Sequence, residues 1–302
     1  MKVKKINIYD KTPSDSVSNA YKTSDLSLEA PCVHMINGCR NTGKGYLMSK
    51  ILAQAKRDNV YDKIYMITPS FQSNKAYFGK YVDEEDVFPP SRDAIDRVVE
   101  AVEQDRDEFE KYLEDMEVYQ HLLEIIHTLD DEELLRLYEE GLISISGKPE
   151  RPVWKYKVVR PPQSALILDD CITSDAMLKS TNKHTITSIG VYNRHLASLK
   201  KPHSDRSSCG LSLYFMVQSY SCQNGTPRLL REQLTHLTTF KNKQPKQYDK
   251  MREEACNIVE PEEFDIAYQY ATKDKYGNLT ITFNPRRPEL TYRKNLNELI
   301  IF

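Results

Sequence analysis

The run Cys32-Val33-His34-Met35-Ile36, followed after Asn37 by Gly38-Cys39-Arg40-Asn41-Thr42-Gly43-Lys44-Gly45, decides how this chain folds. An apolar segment of strand length enters a loop of the form Gly-x4-Gly-Lys, and a helix-compatible segment from Tyr46 to Lys56 leaves it. That order is expected of a phosphate-binding loop. Successive backbone N–H groups and a helix N-terminus surround an anionic phosphate, and the Lys44 ammonium adds a full charge beside the terminal phosphates. Gly38 and Gly43 let the backbone turn tightly and approach its ligand. Only 10 of 302 residues are glycine, which makes a chance match at this strand-to-helix junction improbable. The competing reading is a glycine-rich turn beside a surface lysine. Position 45, where a Ser or Thr hydroxyl normally helps bind Mg²⁺, is glycine, so metal binding must lean on other groups.

Working outward, Lys63-Ile64-Tyr65-Met66-Ile67-Thr68 reads as a second buried strand stopped by Pro69, which gives β-loop-α-β. Ala165-Leu166-Ile167-Leu168 is a continuous apolar run of the kind a parallel strand buried on both faces requires, and it ends in Asp169-Asp170. Leu211 to Val217 is another such strand, ending at Gln218, and Leu234 to Phe240 supplies a further one. The expected fold is therefore α/β, a P-loop fold with a mostly parallel central sheet. Residues 1–30 are polar and read as an N-terminal arm or edge addition; the core spans 31–243. Within it, residues 83–150 read as an acidic helical insertion, with apolar positions Ile95, Val98, Val99, Val102, Leu122, Leu123, Ile126, Leu134 and Leu135 at helical spacing amid charge. Residues 244–302 read as a C-terminal extension, with a helix over Gln247 to Asn257 and a β-hairpin over Tyr268 to Phe283 turning at Tyr276-Gly277-Asn278.

The chemistry follows from what stands at the strand ends, where open α/β sheets bind ligands. Asp169 is assigned to Mg²⁺ and Asp170 to orienting or deprotonating the attacking water of nucleoside triphosphate hydrolysis. The alternative for the pair is a helix cap. Gln218 carries an amide that donates and accepts, suited to sensing a γ-phosphate or water; a polar strand cap is its alternative. Arg228 and Arg231 follow within a loop containing Gly225 and Pro227, and Asn193-Arg194-His195 precedes the Gln218 strand. A rigid guanidinium fork reaching a neighbouring subunit's nucleotide would stabilise transition-state charge, whereas a plain surface role is the competing reading for each arginine. His195 is read as structural.

Composition bounds the partners. The formal charge of −2 hides a segregation: residues 83–140 hold 22 acidic against 5 basic side chains, leaving 37 basic and 22 acidic elsewhere. A basic body with an acidic segment suits a polyanion such as nucleic acid, and a solvated acidic helix face is the competing reading. The 6 cysteines show no C-x-x-C pair and no zinc-ligand spacing, so reduced thiols in an intracellular compartment are expected. No stretch is apolar enough for a membrane span.

The ordered set Gly-x4-Gly-Lys, apolar-run-Asp169-Asp170, Arg194-His195-Leu196-x-Ser198, apolar-run-Gln218-Ser219-Tyr220 and Pro227-x-x-x-Arg231 resembles the genome-packaging ATPases of large DNA viruses and virophages. That family, which includes the poxvirus packaging ATPase, belongs to the FtsK/HerA superfamily of DNA-pumping motors. The resemblance spans residues 31 to 243, broken by the acidic segment and the polar stretch from Lys200 to Cys209. It implies a RecA-like P-loop NTPase fold, a ring of identical subunits, ATP and Mg²⁺ as ligands, double-stranded DNA as the polymer threaded into a capsid, and a capsid or procapsid protein as a further partner. It places the protein in the host cytoplasm or a viral factory, or with the virion. Carried over, residues 38 to 46 (Gly38, Cys39, Arg40, Asn41, Thr42, Gly43, Lys44, Gly45, Tyr46) hold nucleotide, Asp169 the metal, Asp170 is the second acid, Gln218 ends the sensor strand, and Arg231 and Arg194 are the candidate catalytic arginines. Two other functions compete: a nucleotide-binding scaffold or capsid-docking subunit with weak turnover, suggested by Gly45, and a P-loop nucleoside kinase. The acidic segment is expected either to dock a capsid partner or to shield the outer face of the ring.

Overall fold

The structure is a computed structural model that describes residues 2–5, 24–25, 27–171, 174, 183–203, 206–221 and 227–302. Most of the arm expected over residues 1–30, and Gly225, lie outside the described residues. The elements run β1 (Lys2–Lys5), β2 (Val33–Asn37), α1 (Lys44–Arg57), β3 (Lys63–Ile67), α2 (Phe71–Phe78), β4 (Val87–Phe88), α3 (Ala94–Ile125), α4 (Asp131–Glu139), β5 (Ser164–Asp169), α5 (Ile186–Tyr192), β6 (Ser198–His203), β7 (Arg206–Ser208) and β8 (Leu211–Val217). They continue with α6 (Arg228–Glu232), β9 (His236–Phe240), α7 (Pro245–Ala255), α8 (Pro261–Ala271), β10 (Asn278–Thr282), β11 (Tyr292–Lys294) and β12 (Glu298–Ile301).

One 10-stranded sheet has the order β1-β12-β11-β10-β9-β2-β8-β5-β3-β4, and β6 with β7 makes a separate antiparallel ribbon. From β9 through β4 every neighbouring pair is parallel. From β9 outward to β1 the pairs are antiparallel. The chain is thus an α/β fold of the P-loop ATPase kind, its sheet parallel where the loop sits.

The apolar runs are continuous because both faces of the sheet are covered, and the period-2 pleat sorts them. Leu166 and Leu168 face Ile95, Val98, Val99 and Val102 of α3. Ala165 and Ile167 join the other layer, where Leu47, Met48, Ile51 and Leu52 of α1 and Phe78 of α2 are buried. A polar seam marks the join between the parallel and antiparallel strands: His34 Nε2 lies 2.8 Å from Thr238 Oγ1, which lies 2.7 Å from Thr280 Oγ1. His236, opposite His34 in register, is buried beside it with ring centroids 5.5 Å apart. Burial lowers the His34 pKa to about 3 and that of His236 well below its usual value, so both imidazoles are neutral.

Two expectations change. The segment 83–150, expected as an acidic helical insertion, is built into the core at its start: β4 pairs with β3, and the first half of α3 contributes Ile95, Val98, Val99, Val102 and Phe109 to the core. Only the distal part of α3, where Leu122 is the one buried residue after Glu110, and α4, which buries none, carry their charge away from the sheet. The return path packs back on α3 through Trp154 against Phe109 and through Lys155 and Tyr156 on buried Asp105. The hairpin expected over Tyr268 to Phe283 is helix α8, a turn, and strand β10. Pro261 at the helix start and Glu262 and Glu263 in its first turn favour helix there. The antiparallel meander lies further on, in β10, β11 and β12.

Candidate functional site

The loop leaves β2 and is hooked to its neighbour at once, the Gly38 N–H donating to the Val217 carbonyl of β8 at 3.0 Å. Asn41 (φ 63°) and Gly43 (φ 101°) adopt the left-handed conformation that turns the loop, and the Thr42 hydroxyl braces it by donating to the Cys39 carbonyl at 2.8 Å. Lys44 opens α1, whose N-terminus carries no side-chain cap, so its first N–H groups are left to an anion. Lys44 Nζ donates to the carbonyls of Gly38 (2.7 Å) and Cys39 (3.2 Å), which hold the ammonium across the mouth of the loop. Burial lowers the Lys44 pKa while Asp170 and Asp169 pull it back up.

Both acids face this loop, but not from the adjacent strand. β8 lies between β2 and β5, so the strand carrying Asp169 stands two strand spacings, about 10 Å, from the loop strand. The interval is occupied by the end of β8, where Gln218 emerges. Asp169, 7% exposed, accepts hydrogen bonds on Oδ2 from Asn74 Nδ2 (2.8 Å) and Thr68 Oγ1 (3.3 Å). Burial, then the neighbouring Asp170 charge, pushes its carboxyl up to about 6. Asp170 turns out of the strand with φ 48°, a left-handed conformation that Asp tolerates better than most residues. Its Oδ2 accepts from Gln218 Nε2 at 3.1 Å. Arg40, Asn41, Gly43, Lys44, Gly45, Tyr46, Asn74, Asp169, Asp170 and Gln218 together line a cavity of about 240 Å³. Cys39 is exposed beside it, and Thr42 lines a second, adjoining cavity.

The arginines do not join them. Arg194 is exposed in the turn after α5, whose Asn193 amide donates to the carbonyls of Leu211 and Cys32. Those carbonyls lie at the starts of β8 and β2, so Arg194 sits at the opposite end of the parallel strands from the loop. Arg231 grips Glu254 of α7 through Nε (2.8 Å) and Nη2 (2.9 Å), with its guanidinium 5.5 Å from the centre of the Tyr220 ring. Tyr220 also donates to Glu254, at 2.8 Å. The expectation of an arginine set at the same strand ends is corrected: one lies at the far edge, and the other ties α6 to α7. Thr68 and Asn74 were missed by sequence reasoning, and no local pattern in the sequence points to them.

The P-loop fold implies Mg²⁺, and the residues present fit it. A buried carboxylate beside a second one favours a cation that restores its ionised form. Among the described residues no cluster of three or more His, Cys, Asp or Glu could complete a protein cage. One carboxylate completed by substrate phosphates and water is how Mg²⁺ is commonly held. At Gly45 a Cβ would meet only Tyr77 at 3.7 Å and Phe78 at 4.0 Å, so the absent hydroxyl is not a matter of space.

No family model and no curated protein matches the chain. Among solved structures, the genome packaging NTPase B204 of Sulfolobus turreted icosahedral virus 2, in complex with ATP-γS, is similar over 88% of this chain and 97% of its own, with 14% identity and a TM-score of 0.45. EssC (ATPases 2 and 3) of Geobacillus thermodenitrificans aligns over 69% of this chain and 32% of its own, with 15% identity and a TM-score of 0.33. The pCW3 conjugation coupling protein TcpA, with ATPγS, aligns over 74% and 52%, with 14% identity and a TM-score of 0.36. At these values the likenesses carry no functional argument; the fold rests on the strand order and the loop. No helix among the described residues is long and apolar enough to cross a membrane.

Proposed function

We propose that the protein is an ATPase that translocates double-stranded DNA through a ring of its own copies, as in packaging a viral genome into a capsid. The observation that carries the hydrolytic part is the shared cavity: Lys44, Asp169, Asp170 and Gln218 meet there although they come from residues 44 to 218 of the chain. The loop N–H groups and Lys44 bind the phosphates, and Asp169, steadied by Asn74 and Thr68, holds Mg²⁺. That ion would neutralise phosphate charge. Asp170 accepts the proton of the attacking water, and Gln218, already bonded to Asp170, orients it. β8 lies between the loop strand and the acid strand, so Gln218 at its end stands between loop and acids, where it can position the water.

The ring, the DNA and the capsid rest on the ordered motifs and the basic body outside residues 83–140. Arg194, exposed and remote from its own loop, is the better placed of the two arginines to reach a neighbour's nucleotide. The acidic face of α4 and distal α3 is assigned to a capsid partner. The test is ATPase activity of the assembled protein with and without double-stranded DNA, with Lys44→Ala as control. Stimulation that the control abolishes is expected; turnover indifferent to DNA sinks the translocase. The scaffold reading is favoured by Gly45 alone. It predicts nucleotide binding with no measurable turnover, and a clear drop in turnover in Asp170→Asn refutes it.

A further inference from the structure

Beside the phosphate cavity lies a larger one, of about 850 Å³, that no function so far uses. The two share Asn41, Gly43, Tyr46 and Tyr77, so the second begins where the loop ends. Its far wall comes from the antiparallel side of the sheet: Phe240 at the end of β9, the turn Asp274 to Gly277, Asn278 at the start of β10, and Asn295 and Asn297 between β11 and β12. The rings approach the loop closely. A Cβ on Gly43 would lie 3.9 Å from both Phe240 and Tyr276.

Two features of this cavity, its rings and its volume, suit a flat heterocycle. Tyr46 and Tyr276 are more than half exposed, and a lysine ammonium lies over one face of each ring, Lys50 at 5.0 Å and Lys275 at 5.2 Å from the ring centre, which leaves the opposite face for stacking and adds positive charge beside it. The wall carries several amides. Asn278, 4% exposed, has its orientation fixed because Nδ2 donates to Asn295 Oδ1 (3.1 Å) and to the Tyr276 carbonyl (3.3 Å). That leaves Asn278 Oδ1, like Asn297 Oδ1, as a buried acceptor with no partner in the protein. Both oxygens are closed to solvent, so they belong to the packing behind the cavity wall and do not themselves face its interior. A volume of several hundred cubic ångströms lined by aromatic groups and a few polar ones is typical of a small-molecule site.

We infer that this cavity seats the nucleobase and ribose of the bound nucleotide, with Tyr276 as the stacking platform. The inference rests on the phosphate-loop reading and deepens it: the parallel half holds the triphosphate and the antiparallel half recognises what the triphosphate is attached to. It makes β10 to β12 part of the ligand site.

The test compares ATP with inorganic tripolyphosphate, which engages the loop alone, by calorimetry on the full chain. Tyr276 lies in an exposed turn, so Tyr276→Ala leaves the core intact. It is expected to weaken ATP by about tenfold or more while tripolyphosphate affinity holds within twofold, and Tyr276→Phe, which keeps the ring face, is expected to restore ATP binding. Unchanged ATP affinity in Tyr276→Ala, or an equal loss for both ligands, overturns the base site. If the unaltered protein binds neither ligand, the phosphate-loop reading itself fails and takes this inference with it.

Discussion

Strands β9, β2, β8, β5, β3 and β4 run one way and bring the phosphate loop, Gln218 and the Asp169-Asp170 pair to a common edge. Strands β10, β11, β12 and β1 continue the same sheet in alternating directions and bring only a turn and a few amides to that edge. Parallel strands all finish on one side, so each crossover can deliver a functional group there. A meander delivers one only at every second turn, which suits a wall rather than a reaction centre. The two halves meet along β2, β9 and β10, where the neutral histidine and threonine seam lies.

Substitutions that attack one half and spare the other sharpen this contrast. The largest effect belongs to the parallel edge: Lys44→Ala should lower kcat/KM for ATP by about a thousandfold or more, and Asp170→Asn should lower kcat by a hundredfold or more with little change in nucleotide affinity. Steady-state kinetics alongside equilibrium binding checks both, and an Asp170→Asn protein with wild-type turnover removes that acid from the chemistry.

Next is the seam itself. A folded-state pKa near 3 for His34, against an unfolded value near 6.5, means that its contribution to stability is complete above pH 6.5 and is lost as pH falls towards 3. Unfolding free energy measured by denaturant titration should therefore decline by on the order of a few kcal/mol between pH 7 and pH 4. His34→Gln should flatten part of that decline. A pH profile unchanged by the substitution places the acid sensitivity elsewhere.

The Arg231–Glu254 clasp, with both side chains at most one-fifth exposed, should behave as an internal tie. Arg231→Ala is expected to cost about 1–3 kcal/mol of stability, because Glu254 loses its fork, while turnover per folded subunit changes little. A thousandfold loss of DNA-stimulated turnover with stability intact would instead make Arg231 a catalytic group. The smallest effect is a gain: Gly45→Ser should tighten Mg²⁺ dependence a few-fold, about 1 kcal/mol, read as a lower Mg²⁺ concentration at half-maximal ATPase rate.

The loop, the two acids and Gln218 could be read in the sequence because each is a short local pattern whose chemistry is carried by consecutive residues. Thr68 and Asn74 could not, since their bonds to Asp169 span 101 and 95 residues and nothing local distinguishes them from other polar side chains. Arg231 looked like a free cation because its partner lies 23 residues on, across a helix. The acidic segment misled for a different reason: the Ile95, Val98, Val99 and Val102 stripe was legible at helical spacing, but the charge around it suggested an insertion, whereas the stripe is the core face of a long helix. In Tyr268 to Phe283, aromatic alternation outweighed the proline and acidic signals of a helix start only a few residues earlier.

Gly38 and Gly45 stand seven positions apart and face opposite futures under mutation. At Gly38 any larger residue would drive its Cβ to 2.6 Å from Thr42 Oγ1 and 2.7 Å from the Phe240 ring, so that position is closed to drift. At Gly45 a small side chain fits with ordinary contacts. Space for a Cβ therefore does not account for the missing hydroxyl at position 45, and a serine could be installed there without disturbing the loop it opens onto.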